Sequence, residues 1–168
     1  ALNNLTKLDS SQRPVIGAAI ILKGIPSRSD RENFARAATM SKSDTTQALA
    51  LSELGHSDVC DDYSLRKTAL TLARKGTSYR QVRALAKTYG DSRMVSAANK
   101  AIKMGMGDKP APDLVAGKDI LSMTSRRPGK WLGDLLSQVR EAQYKDEVTS
   151  RPQALDLAQR LINNLEEN

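Results

Sequence analysis

A block of basic residues in the middle of the chain is the feature with the clearest chemical use. Between Arg66 and Lys103 there are ten Lys or Arg residues and a single acid, Asp91. Such a block raises the local electrostatic potential and attracts polyanions, although a solubilising surface would have the same composition. The candidate phosphate-binding residues in it are Arg66, Lys67, Arg74, Lys75, Arg80, Arg83, Lys87 and Arg93.

A predicted helix from Ser78 to Tyr89 separates its basic residues from its apolar ones. Four apolar residues follow helical spacing and should form its buried face: Val82, Leu85, Ala86 and Tyr89. Three cations line another face: Arg80, Arg83 and Lys87. Because no acid occurs between Arg66 and Gly90 to pair with them, we expect these cations to face outward as a basic stripe.

Metal sites and activated nucleophiles are poorly supported by the residue types. With one His and one Cys in the chain, His56 and Cys60, a zinc site of the usual N/S type is essentially excluded. The acids around Cys60 make an activated thiol unfavourable, and Asp61 and Asp62 fit solvated helix caps better than paired catalytic carboxylates. We therefore expect no catalytic residue and no metal ligand in this chain.

A second group of candidate phosphate-binding residues surrounds the start of a predicted helix from Gly129 to Lys145. Pro128 and Gly129 form a stiff turn directly before this helix, so that its first-turn amides are free to meet a phosphate at the positive end of the helix dipole. Gly133 lacks a side chain, which would let an RNA backbone or another helix approach closely. The candidate residues here are Arg126, Arg127, Gly129 and Lys130.

The segment from Gly117 to Leu161 resembles the RNA-gripping tail of tRNA nucleotidyltransferases (CCA-adding enzymes) and bacterial poly(A) polymerases. The likeness rests on three stretches: GKDIL at 117–121, RPGKWLGDLL at 127–136 and QALDLA at 153–158. It implies a helical body and tail whose partner is structured RNA, above all tRNA.

Catalysis in that family depends on a head that has no counterpart in this sequence. The head holds magnesium with a strand-borne pair of Asp residues that follows a Gly-Ser turn. We therefore expect no cofactor in this chain, since Mg²⁺ and CTP or ATP would belong to a head supplied separately. The chain is not expected to be active alone, but it fits the non-catalytic part of a nucleotidyltransferase.

The elements that must position these residues are expected to be helices. Aromatic residues make up only 4% of the chain, so the core must consist mainly of Leu, Ile, Val, Met and Ala, of which Leu and Ala favour helices. Helix signals recur along the sequence, with a predicted cap at Ser29 and stops at Gly76, Gly90 and Gly105. We predict an all-α fold, an array of short helices and helical hairpins with no sheet.

Composition divides the chain into three regions. Residues 1–104 form a helical body-like region that contains the basic block, residues 66–103. Residues 105–116, rich in Gly and Pro, are predicted to be a hinge loop. Residues 117–168 form a tail-like helical region for RNA binding.

Two functions fit these observations, and they differ in the class of partner. The first is an RNA-binding helical module for tRNA or a similar structured RNA, because duplex RNA is recognised mostly by its shape and phosphates. A separate catalytic head polypeptide is a further expected partner in this case. The alternative is a helical protein-interaction adaptor that contacts an acidic protein through its basic surface.

The apolar runs and the single cysteine indicate the cellular compartment that we expect for this protein. The longest apolar run, Val15 to Leu22, falls far short of the roughly 18 residues that span a bilayer, so no membrane partner is expected. The lone Cys60 excludes an internal disulfide and fits a reducing compartment, which predicts a cytoplasmic protein. The start at Ala1 rather than Met leaves open a processed fragment of a longer protein.

Overall fold

The structure, a computed structural model, describes residues 8, 10 and 12–166, with side chains as far as residue 165. These residues form helices and no strand, which confirms the all-α prediction. The first six α-helices are α1 (Arg13–Lys23), α2 (Arg28–Ala37), α3 (Lys42–Glu53), α4 (Asp62–Arg74), α5 (Tyr79–Tyr89) and α6 (Ser92–Lys103), with a short 3-10 helix at His56–Val59 before α4. The other three are α7 (Gly117–Leu121), α8 (Lys130–Tyr144) and α9 (Arg151–Glu166).

Polar side chains cap several of these helices and so fix where they begin. Asp61 accepts a hydrogen bond from the Ser64 amide at 2.7 Å and starts α4, as its interpretation as a helix cap required. The predicted cap at Ser29 is wrong, because the hydroxyl of Ser27 accepts from the Asp30 amide and α2 begins two residues earlier. The earlier start also places Arg28 one turn before Glu32, to which it donates at 3.0 Å.

Glycines end the helices of the basic block, as predicted. Gly76, Gly90 and Gly105 all have positive φ angles, a region that costs other residues energy. At Gly90, with φ of 74°, the chain reverses between α5 and α6, and the Asp91 amide donates to the Ala86 carbonyl at 2.9 Å. The two helices of this hairpin therefore pack closely and present their outer faces to solvent.

The chain divides into two compact units between Ala111 and Pro112. The core of the first unit collects aliphatic side chains from α1, α3, α4, α5 and α6. Tyr79 is fully buried there, and its hydroxyl donates to the Leu65 carbonyl at 2.9 Å. Burial raises the pKa of this phenol, so it remains a neutral donor across the physiological range.

The second unit has a core of its own. Ile120 of α7, Leu135 of α8 and Ile162 of α9 are almost completely buried in it, together with small Ala residues of α9. Val148, in the turn before α9, closes this core. The short α7 is thus held by packing against two longer helices, because five residues are too few for a helix that is stable alone.

The stretch 105–116, predicted to be a hinge loop, is anchored at both ends. Met106 is buried in the first core, and the Gly107 carbonyl accepts from the Arg80 amide at 3.3 Å. Val115 is buried in the second core, and the Gln143 side chain donates to the Pro112 carbonyl at 2.8 Å. Residues 1–7, 9, 11, 167 and 168 of the predicted body-like and tail-like regions lie outside the described residues.

Within the described part of the chain, every helix is too short or too polar to cross a lipid bilayer.

Two glycines in the first unit should respond to alanine in opposite directions. Gly90→Ala forces a side chain into left-handed backbone and should destabilise the unit by about 1 kcal/mol, although nothing lies within 4 Å of the added Cβ. Gly17→Ala lies inside α1, also with nothing within 4 Å, and should stabilise the unit by about 0.5–1 kcal/mol. Urea unfolding followed by circular dichroism measures both, and equal signs would contradict the assigned backbone conformations.

Candidate nucleic-acid interface

The basic stripe on α5 is only partly available to a ligand. Arg80 is exposed, yet its guanidinium donates at 2.8 Å to Asp108, which follows α6. Arg83 is half-buried and donates to the Asn99 side chain of α6 at 3.4 Å. Lys87 is exposed. The expected lack of an acidic partner therefore fails for Arg80, because folding brings in an acid 28 residues away in sequence.

Tyr89, predicted on the buried face of α5, is 41% exposed. It is the last residue of the helix, where the apolar face runs past the edge of the core. Its hydroxyl donates to the Ile20 carbonyl of α1 at 2.6 Å, and the Lys23 ammonium lies 6.0 Å from the centre of its ring. The other predicted residues of this face, Val82, Leu85 and Ala86, are buried.

Basic residues of α4 line a groove between α3 and α4. Lys67, Thr71 and Lys75 follow each other at four-residue spacing along it, and the groove encloses about 490 Å³. The Lys67 ammonium lies 5.4 Å from the centre of the Tyr63 ring and donates to its hydroxyl at 3.3 Å. Two acids, Glu53 and Asp58, line the same groove, so its charge is mixed. Arg66, on the neighbouring face, is half-buried.

A second groove, of about 430 Å³, runs between the 3-10 helix and α6 and holds Arg93. His56 lies in it but does not pair with Cys60; its Nε2 is 2.9 Å from Asp91 Oδ2. The Met94 amide and this His56 contact hold the pKa of the Asp91 carboxyl below its usual range. His56 and Asp91 are 35 residues apart, and no spacing pattern in the sequence indicated their pairing.

Five cations of the basic block are exposed and have neither an ion-pair nor a hydrogen-bond partner within residues 12–165. They lie at the ends of three helices: Arg74, Lys75, Lys87, Arg93 and Lys103. We call this set the unpaired cations. Lys100, by contrast, forms an ion pair with Asp62. Thus the block is not uniformly free; tertiary contacts occupy some of its charges and leave these five to solvent.

In the second unit, Arg126 is held by the protein itself. Its guanidinium donates to the Leu165 carbonyl in the last turn of α9 at 2.7 Å, where a cation complements the helix dipole. The same group lies 5.7 Å from the centre of the Trp131 ring, and the indole donates to the Arg127 carbonyl at 2.9 Å. Arg126 therefore has a structural role whether or not it also contacts a ligand.

The start of α8 leaves the charges of Arg127 and Lys130 exposed, with no partner for either side chain among the described residues. Gly129 occupies the N-cap and supplies no side chain to the first turn, as predicted. A Cβ on Gly129 would come within 3.3 Å of the Trp131 ring, so packing of the indole already explains this glycine. Gly133 is exposed, with nothing within 4 Å of an added Cβ, which removes helix packing as its reason.

Two ion pairs stabilise the second unit away from these cations. Arg140 donates twice to the Asp113 carboxylate, at 2.6 and 2.7 Å, and this raises the pKa of the guanidinium. Asp119 accepts from the Ala116 amide at 2.8 Å and from Arg151 at 2.9 Å. These two contacts, the amide first, lower the pKa of the Asp119 carboxyl.

Over the described residues, no group of three or more His, Cys, Asp or Glu side chains is placed to hold a metal ion.

Comparison of the chain with known proteins found no match among protein-family models, curated proteins or solved structures. The likeness of Gly117–Leu161 to the nucleotidyltransferase tail therefore stays a prediction from the residues quoted above. What the chain binds has to be inferred from its own charges and contacts.

The second unit should lose stability in acid as Asp119 is protonated. The pKa of Asp119 in the folded chain lies below its usual value of 3.8. The carboxylate therefore contributes fully to the stability of the unit above pH 3.8, and this contribution is lost as the pH falls through the pKa of the folded chain. Asp119→Asn should be less stable at pH 7 and should depend less on pH between about 5 and 2. Fluorescence of Trp131, the only Trp, follows unfolding of this unit.

Asp134→Asn removes an equal charge from an exposed site of α8 and serves as the control. If both variants show the same pH dependence of stability, the Asp119 contacts are not the source of the acid sensitivity.

Proposed function

We propose that this chain binds structured RNA such as tRNA through its phosphates, as the non-catalytic body and tail of a nucleotidyltransferase would. The observation that carries the proposal is the set of unpaired cations in the first unit. Lys and Arg side chains without acidic partners can each neutralise a phosphate and release a condensed counterion. In this proposal, Mg²⁺ and CTP or ATP would bind to a separate catalytic head.

The positions of the unpaired cations support a ligand rather than helix stability alone. Basic residues at helix C-terminal ends complement the helix dipole, and this accounts for Arg74, Lys87 and Lys103 without a ligand. Arg93 is different, because it lies in the first turn of α6, where the dipole disfavours a cation, and the capping acid Asp91 bonds to the Met94 amide and His56 rather than to Arg93. Since Asp91 already caps this helix, a phosphate there would be attracted mainly by the exposed guanidinium of Arg93.

The beginning of α8, in the second unit, also carries cations at a helix N-terminus, but its N-cap is a glycine rather than an acid. Lys130 is the first residue of the helix, the first turn has no acid, and Arg127 lies just before it. Because the exposed Gly133 has no side chain, a sugar-phosphate backbone can approach the helix closely at this position. These features agree with what the family resemblance implies for this segment.

Duplex RNA is a suitable ligand for a surface of this composition. Shape and phosphate contacts dominate its recognition, and helices that present Lys and Arg supply both without reading base edges. The cations are distributed over four ends of three helices, which suits an extended polyanion better than a single small anion. We therefore expect binding that depends steeply on salt and weakly on sequence.

Removing three unpaired cations should weaken RNA binding and flatten its salt dependence. In Arg74→Ala/Lys87→Ala/Arg93→Ala, the slope of log K against log salt should fall by up to about three units, since each lost phosphate contact removes about one. The measurement is a fluorescence titration of labelled tRNA at several salt concentrations.

The charge-matched control removes three exposed cations from residues 1–62, where seven Lys or Arg residues are balanced by eight Asp or Glu residues. They are Arg28, Arg36 and Lys42, each changed to Ala. This control variant should keep most of the affinity for tRNA and most of the slope of log K against log salt. If both variants lose the same amount of RNA affinity, the interaction depends only on net charge. Absence of RNA binding at low salt would overturn the proposal.

A titration with poly-glutamate of similar length tests whether the surface binds an acidic protein instead. An affinity comparable to that for tRNA would assign the surface to such a partner.

Gly133→Ala should separate stability from binding. Because the position is helical, exposed and free of neighbours, alanine should stabilise the second unit by about 0.5–1 kcal/mol. If an RNA backbone lies against this surface, the same change should weaken tRNA binding several-fold. Trp131 fluorescence in urea gives the stability and the tRNA titration gives the affinity. A variant that is more stable and binds tRNA equally well would exclude close approach at Gly133.

A further inference from the structure

A small cavity in the first unit has a character unlike that of the basic surface. It encloses about 250 Å³ between α1, α3, α5 and α6. Its floor is apolar and includes Leu51, Leu85 and Met94, whereas its mouth carries Lys23, Tyr89 and Asp91. An apolar recess with a few polar groups at its opening is the usual form of a site for a small ligand group.

Tyr89 provides one wall of this cavity as a fixed aromatic surface. Tyr89 is 41% exposed, whereas most large apolar residues in the described part of the chain are buried or half-buried. The hydrogen bond from its hydroxyl to the Ile20 carbonyl, 2.6 Å long, ties the ring to α1 and limits its rotation. A flat ligand that stacks on it would therefore cause little loss of side-chain entropy.

The mouth offers one hydrogen-bond donor and one acceptor. Lys23 holds its ammonium over the Tyr89 ring and donates to the Leu54 carbonyl at 3.3 Å, with further protons left to donate. Asp91 is held in place by the Met94 amide at 3.0 Å and by His56 at 2.9 Å. A carboxylate with two such bonds still has free acceptor positions.

These features together fit a nucleobase, which is flat, has an apolar face and carries neighbouring donors and acceptors on its edge. An aliphatic side chain of a protein partner would use the apolar floor but neither the donor of Lys23 nor the acceptor of Asp91.

We propose that this cavity binds one unpaired base of the RNA, stacked against Tyr89 in place of the Lys23 ammonium, an inference that rests on the RNA-binding function proposed above. The body would then hold duplex RNA by its phosphates and a single-stranded nucleotide beside the duplex by its base. Stacking on an aromatic side chain is tolerant of sequence, because every base has a π face. We therefore expect no strong preference among the four bases.

The test compares a blunt RNA duplex with the same duplex that carries a short unpaired extension containing 2-aminopurine. The extension should tighten binding about tenfold, within the range that stacking of one base contributes, and the 2-aminopurine fluorescence should be quenched. Tyr89→Leu should abolish both effects and leave binding of the blunt duplex unchanged. Tyr89→Phe, which keeps the ring and loses only the hydroxyl, should retain most of both.

A matched control is available because Tyr63 also has a Lys ammonium over its ring, in the other groove. Tyr63→Leu should keep the advantage of the extended RNA. If the extension adds nothing, or if Tyr63→Leu and Tyr89→Leu lose the advantage equally, the cavity proposal is overturned while duplex binding stands.

Mononucleotides separate this proposal from the duplex-binding function. Millimolar AMP or CMP should shift the NMR signals of the Leu85 and Met94 methyl groups in the full chain, and Tyr89→Leu should remove the shifts. Unmoved methyl signals would overturn the cavity proposal whether or not the duplex binds. Failure of the blunt duplex to bind at low salt, with methyl shifts present, would overturn only the duplex function.

Discussion

The carboxylate of Asp91 is the contact on which the arrangement of the first unit depends. It is the one acid in the basic block, and it caps α6 through the Met94 amide immediately after the left-handed turn at Gly90. Its second oxygen meets His56 from before α4. One side chain thus orients the α5–α6 hairpin and joins it to the 3-10 helix. It also forms part of the cavity mouth, so the fold and the candidate base site depend on the same residue.

Ion pairs between residues distant in sequence decide which cations of this protein are neutralised by an acid and which remain unpaired. Arg80 is paired by Asp108 and Lys100 by Asp62, while Arg140 and Arg151 hold Asp113 and Asp119 in the second unit. Exposed pairs of this kind contribute modestly to stability. Their larger effect is on the distribution of charge, because they neutralise some cations and leave the unpaired cations without a protein partner among the described residues.

The start of α8 shows how packing and binding can share one short segment. The Trp131 indole covers Gly129, donates to the Arg127 carbonyl and lies against Arg126, whose guanidinium reaches the end of α9. This cluster makes the turn rigid without using the charges of Arg127 or Lys130. A preorganised turn with two exposed cations loses little entropy when an anion binds, which supports the RNA contact proposed for this segment.

Three features could be predicted from the residues alone: the all-α class, the glycines that end α4, α5 and α6, and the apolar face formed by Val82, Leu85 and Ala86. These are local properties, set by helix periodicity and by the backbone freedom of glycine within a few residues. Other features became visible only in the folded chain: which cations are paired, the contact of His56 with Asp91, and the position of Tyr89 beside a cavity. Those outcomes depend on partners about 30 to 70 residues apart, brought together by the packing of separate helices, and no local pattern encodes such distances.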